Sequence, residues 1–149
     1  MRNNPYQNYL EDEVLTADPI KLIVLLYRGA INSVASAERH LAAGDIRARS
    51  RSITKAMEII GELAGTLDYE RGGKISTELA RLYGYVLTAL TEANVKQAAE
   101  PLAQSKAMLS TLLIGWEAIH SQEVTGSSAR TGPKILEHSE VLPRVSYAY

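Results

Sequence analysis

From Ile46 to Leu67 the chain repeats one spacing: Ile46, Ser50, Ile53, Met57, Ile60, Ala64 and Leu67 follow each other at alternating intervals of four and three. Apolar or small residues held to that rhythm for three heptads draw one seam along an α-helix, and such a seam has to be buried against other helices. Two later stretches keep a similar rhythm. Ile75, Leu79, Leu82, Val86, Leu90 and Ala93 share a face, with Tyr83 and Leu87 beside it, while Leu102, Ser105, Leu109, Leu112, Trp116 and Ile119 share another. No segment alternates convincingly in the manner of a strand.

Turn chemistry divides these helices. In "TADPIK" Asp18 is placed to cap a helix and Pro19 occupies its first position, where a missing N–H costs nothing. That helix runs to about Ala43 and stops at Gly44, a residue that tolerates the left-handed cap; Asp45 is ready to cap the next helix at once. "DYERGGKIS" supplies a turn at Gly72-Gly73, the third helix ends between Asn94 and Gln97, and Glu100-Pro101 opens a fourth. Short links force neighbours to run antiparallel, so the spacing predicts an all-α fold: an up-down-up-down four-helix bundle over residues 1–124. Residues 1–17 add a short amphipathic segment. After Val124, "TGSSARTGPK" has linker composition, and with Pro143 interrupting "ILEHSEVLPRVSYAY" the stretch 125–149 is expected to be a disordered or loosely docked tail.

A chain of 149 residues is one domain in size and large enough to bury a core without staples. With no cysteine it has neither disulfides nor thiolate metal ligands, which favours an intracellular setting. A net charge of −1 gives no general pull toward nucleic acid or anionic membrane. The longest apolar run, Ile23 to Tyr27, falls far short of the ~20 residues that span a bilayer, so no membrane insertion is expected. Eight tyrosines and no phenylalanine hint at surfaces that are packed on one side and wet on the other.

The first helix carries more apolar residues than a bundle uses. Ile20, Ile23, Tyr27, Val34 and Leu41 form one stripe, but Leu22, Leu25, Leu26 and Ala30 fall largely outside it. A bundle consumes about three of every seven positions of a helix. Three bare leucines would expose about 400 Å², the scale at which a patch marks a binding site. Weaker surpluses appear at Ile59 and Leu63, and at Tyr83, Tyr85 and Leu87. Another copy of the chain, the chain's own ends, or a guest would cover them. Tyr6, Tyr9, Leu10 and Val14 share one face of a short helical segment and suit a weak lid. Gly29, Gly61, Gly65, Gly84 and Gly115 all fall inside helices, each at a cost of ~0.5–1 kcal/mol; close approach between helices accounts for them most simply, and backbone left open to a partner is the alternative.

Sequence offers little for catalysis. Glu117 and His120 make a Glu-x-x-His on a helix, a spacing used by di-iron bundles, yet no second such pair exists, so no metal, cofactor or enzymatic activity is expected. Arg47, Arg51 and Lys55 align on one face with Arg49 to the side, but Glu58 and Glu62 continue nearby, which describes a solvated face rather than a nucleic-acid site.

The stretch "NPYQNYLEDEVLTADPIKLIVLLYRGAI" resembles the N-terminal signature of the flagellar export chaperone FliS family. Val14, Leu15, Thr16, Ala17 and Pro19 match its turn, with Asp18 for the usual Ser; Leu26, Tyr27, Gly29 and Ala30 match its helix, with Arg28 for the common Asp. Lys55-Ala56, Ile59-Ile60, Glu62-Leu63, Leu67-Asp68, Gly72-Gly73, Leu82-Tyr83, Ala93-Asn94 and Trp116 continue the likeness in order over about residues 6–120. The tail from Thr125 departs from it.

The resemblance implies a cytoplasmic, non-enzymatic chaperone that binds the C-terminal region of flagellin, prevents its premature polymerisation and delivers it to the flagellar export apparatus, with an export gate component as a further partner. Joined to the surplus apolar face, it implies guest contacts at Leu22, Leu25, Leu26, Ala30, Leu63, Tyr83 and Leu87, with Tyr6, Tyr9, Leu10 and Val14 as lid or groove edge. A helical homo-oligomer burying the same leucines is the competing expectation, and the free chain is expected as a monomer or weak homodimer.

Overall fold

The structure, a computed structural model, describes residues 18–129, with side chains described to Thr125. Four helices account for almost all of it: α1 Pro19–Ala43, α2 Ile46–Gly65, α3 Tyr69–Lys96 and α4 Glu100–Ala129. The sequence rules for helix ends hold closely. Asp18 accepts hydrogen bonds from the backbone N–H groups of Ile20 and Lys21, Pro19 fills the first turn, and Gly44 closes α1 at φ 75°. Asp45 then accepts from the Ala48 N–H and starts α2. Around the bundle α1 packs between α2 and α4, and α3 closes the ring between the same two helices.

The Gly72-Gly73 break is displaced from its expected place. Asp68 caps α3 through the N–H groups of Glu70 and Arg71, so the helix begins before the glycines, and Gly73 (φ 50°, ψ −120°) kinks it. Only glycine adopts that conformation without strain. The Ser76 hydroxyl reaches back to the Asp68 carbonyl at 2.9 Å and ties the two sides of the kink together. At the other end of the chain α4 continues through Thr125–Ala129, past the point where linker composition begins. A weak local propensity is overridden there by helix already propagating from the bundle.

The core is rotated relative to the seams drawn from the sequence. Leu26 and Ala30, in the surplus of helix one, are buried at 4% and 0% exposure, and so are Ile59 and Leu63 of α2 and Tyr83 of α3. The reason is geometric. A helix wedged between two neighbours buries both flanks, so α1 hides Ile20, Ile23, Val24, Leu26, Tyr27, Ala30, Val34 and Ala37, more than a single stripe. Ile46 and Ile75, both placed on seams by spacing alone, are 56% and 45% exposed. The apolarity of α1 would suffice to cross a membrane by length and composition, but more than half of that stretch is buried inside the bundle.

Tyr27 of α1 and Tyr83 of α3 meet across the centre, their hydroxyls 2.7 Å apart. Trp116 of α4 completes the cluster with its ring 6.4 Å from that of Tyr27. Both hydroxyls would be costly to bury alone, and their bond satisfies each with the other. Burial holds the Tyr83 phenol well above its ordinary range, reinforced by Tyr27; burial raises Tyr27 too, offset in part by the Tyr83 hydroxyl and the nearby Trp116 indole.

Candidate partner-binding surface

The three seams whose facing residues can be traced differ in what lines them. Between α1 and α4 the lining is charged: Glu38 pairs with Lys106 at 2.5 Å and Arg28 with Glu117 at 2.7 Å. Near the end of the seam Nδ1 of His120 lies 3.3 Å from Oδ2 of Asp18, close but without the alignment of a hydrogen bond. Glu123 sits close by, its carboxyl held above the ordinary 4.5 first by burial and then by the Asp18 carboxylate. Glu117 and His120, the Glu-x-x-His pair of the sequence, are therefore tethers to α1. Among the described residues no three such side chains are arranged to hold a metal ion.

Between α2 and α3 the lining is apolar and partly open. Arg49 and Ser50 of α2 bond to Asn94 of α3, Arg49 through Nε to the side-chain oxygen at 3.2 Å and Ser50 through its hydroxyl at 3.1 Å. Those bonds fix which faces meet. Stepping by sevens and fours from Ser50 gives Met57, Gly61 and Ala64; stepping back from Asn94 gives Leu87 and Ala80. Met57, Ala64, Ala80 and Leu87 are all half-buried, packed on the core with one side bare. Arg49 is thereby a buried structural residue, not a member of a basic patch.

Between α3 and α4 the lining is again apolar. Tyr85 donates to Gln104 at 3.4 Å, and on the face of Gln104 lie Met108, Leu112, Gly115 and Ile119. Leu82, Met108, Leu112 and Ile119 are half-buried, while Tyr85 is 49% exposed.

The glycines explain themselves here. A Cβ built on Gly61, Gly65, Gly84 or Gly115 would meet nothing within 4 Å. Close approach between helices of the bundle is not their reason. They leave bare backbone on α2, α3 and α4 with open space beside it.

The residues expected from the sequence to meet a guest are thus divided. Leu22, Leu25 and Leu87 are half-buried and accessible on one side; Leu26, Ala30, Leu63 and Tyr83 lie inside the core and support the surface from beneath. Tyr6, Tyr9, Leu10 and Val14 lie outside the described residues. Spacing counts missed Met57, Gly61, Ala80 and Gly84 as a surface, although the cost of so many helical glycines was a legible signal.

The family model described as "Flagellar protein FliS" matches residues 2–123. A flagellar secretion chaperone FliS of Salmonella typhimurium is 34% identical over 111 residues, 74% of this chain and 82% of the relative. The flagellar secretion chaperone FliSB of Pseudomonas aeruginosa is 36% identical over 110 residues, 74% and 87% respectively. That of Bacillus subtilis is 30% identical over 120 residues, 80% and 89%. These relatives are named as chaperones, not as enzymes. With the match running from residue 2 to residue 123 and reaching into all four helices, the chain belongs to the FliS family of flagellar secretion chaperones.

Proposed function

We propose that this protein is a cytoplasmic export chaperone that holds the C-terminal region of flagellin, as an amphipathic helix, against the open seam between α2 and α3 and the outer face of α1. The observation that supports it most is the combination of half-buried Met57, Ala64, Ala80 and Leu87 with glycine backbone that has no neighbour at Gly61, Gly65 and Gly84. An apolar helix laid in an apolar groove is a general recognition mode, and bare backbone lets it approach closely. Leu22 and Leu25 extend the contact on α1. The guest orders on binding, and broad apolar burial offsets the entropy lost. A bound terminus is withdrawn from polymerisation by mass action and is carried to a component of the export gate.

The N-terminal segment fits the same scheme. Tyr6, Tyr9, Leu10 and Val14 precede α1 directly and act as a weak lid, displaced when the guest arrives. The free protein is then a monomer or weak homodimer without nucleic-acid binding, membrane insertion or cofactor.

Titration calorimetry with a flagellin C-terminal peptide tests this. Leu87→Asp and Leu25→Asp should each weaken a 1:1 complex about tenfold or more, equivalent to ~1.4 kcal/mol, with helicity unchanged. A full-length chain that is a stable dimer and indifferent to the peptide would replace the chaperone with a self-associating bundle.

A further inference from the structure

The seam between α3 and α4 is a second open apolar strip, and the chain itself supplies something to fill it. We infer that residues 134–149 of the C-terminal tail dock along the α3–α4 seam, over Leu82, Met108, Leu112, Gly115 and Ile119. Three features carry this. First, the tail follows directly from the wall of that seam: α4 lines it from Gln104 to Ile119 and is described to Ala129, and the sequence Thr131-Gly132-Pro133 just beyond carries a reversal signal.

Second, the lengths agree. Gln104 to Ile119 spans about 22 Å at the rise of an α-helix. Ala129 lies about 37 Å from Gln104 along α4, and sixteen residues after the reversal reach about 50 Å extended, enough to return along the whole seam; the same residues as a helix, about 24 Å, would cover only its Ile119 end. Third, the chemistry agrees. That side of α4 carries Gln104, Ala107, Met108, Thr111, Leu112, Ile114, Gly115 and Ala118 without a charge, and the tail offers Ile135, Leu136, Val141, Leu142, Tyr147 and Tyr149. Exposed Ile114, 67% bare, and the open backbone at Gly115 belong to this strip. The family match ends at residue 123, before this tail begins.

The test uses the full chain without any guest, so its outcome is separate from that of flagellin binding. The sequence has no cysteine, and Ser146→Cys therefore takes a single nitroxide label. Amide signals of Leu82, Tyr85 and residues 108–119 should broaden in dilute solution, and Leu142→Asp in the tail should abolish the broadening. Hydrogen exchange at solvent-facing positions of 107–118 should accelerate about tenfold in the same variant. Broadening centred on Leu22 and Leu25 or on Leu87, broadening that vanishes on dilution and so belongs to a second copy, or no broadening would each overturn the proposal. The tail variant lies outside the bundle, so a folding failure does not confuse the result.

Discussion

At the scale of single residues the most informative contact is the pair of hydroxyls at the centre. Tyr83→Phe leaves the Tyr27 hydroxyl buried without its partner and should cost about 1–3 kcal/mol in urea denaturation; Tyr27→Phe with Tyr83→Phe should recover most of that, because no polar group is then stranded. Equal losses that add in the double variant would show that packing, not hydrogen bonding, holds the pair. Glu123 gives a pH signature. Its folded pKa is raised above the ordinary 4.5, so the folded state holds the proton more tightly. Stability from this group is full below about 4.5 and is lost as pH rises from there through the folded value. Glu123→Gln should remove that loss, raising the melting temperature at pH 7 relative to pH 4 when compared with the unmodified chain. Tyr83 also shows why sequence reading misplaced part of the core. A tyrosine beside a leucine seam reads as flank, and only the distant Tyr27 hydroxyl makes its full burial tolerable.

At the scale of elements the ends were legible and the faces were not. Asp18, Pro19, Gly44 and Asp45 act on backbone groups two to four residues away, so local sequence is sufficient to place them. Which face of α2 is buried depends on α1 and α3 together. That is how Leu63 became core and Ile46, in the first turn, became surface. The surplus of helix one was a real excess over a single stripe, but two neighbours absorbed much of it, and the open apolar strips were left beside α3. The glycines separate stability from binding. Gly61→Ala and Gly84→Ala should each stabilise the bundle by about 0.5–1 kcal/mol, since the added methyl meets no neighbour and helix propensity improves. The same substitutions should weaken flagellin peptide by several-fold in calorimetry. Gly73→Ala, at φ 50°, should instead lower the melting temperature, because the kink in α3 admits no side chain without strain.

At the scale of the molecule, charge and apolar surface are segregated. The α1–α4 edge is fastened by charged contacts, whereas Glu92 and Lys96, which share the surface of α3 beside Leu87, pair with each other, so a guest held there meets little net charge. Flagellin-peptide affinity should therefore change less than about threefold between low and moderate salt; a steep fall would place the contact on charged surface instead. The lone indole belongs to this scale as well. Trp116 is 8% exposed and packed against Tyr27 where three helices converge. Any event that prises the staves of this barrel apart must let water reach that ring and shift its emission to the red, while a cargo that merely settles on the outside must leave the colour unchanged. The protein thus carries a built-in optical gauge that distinguishes opening from coating.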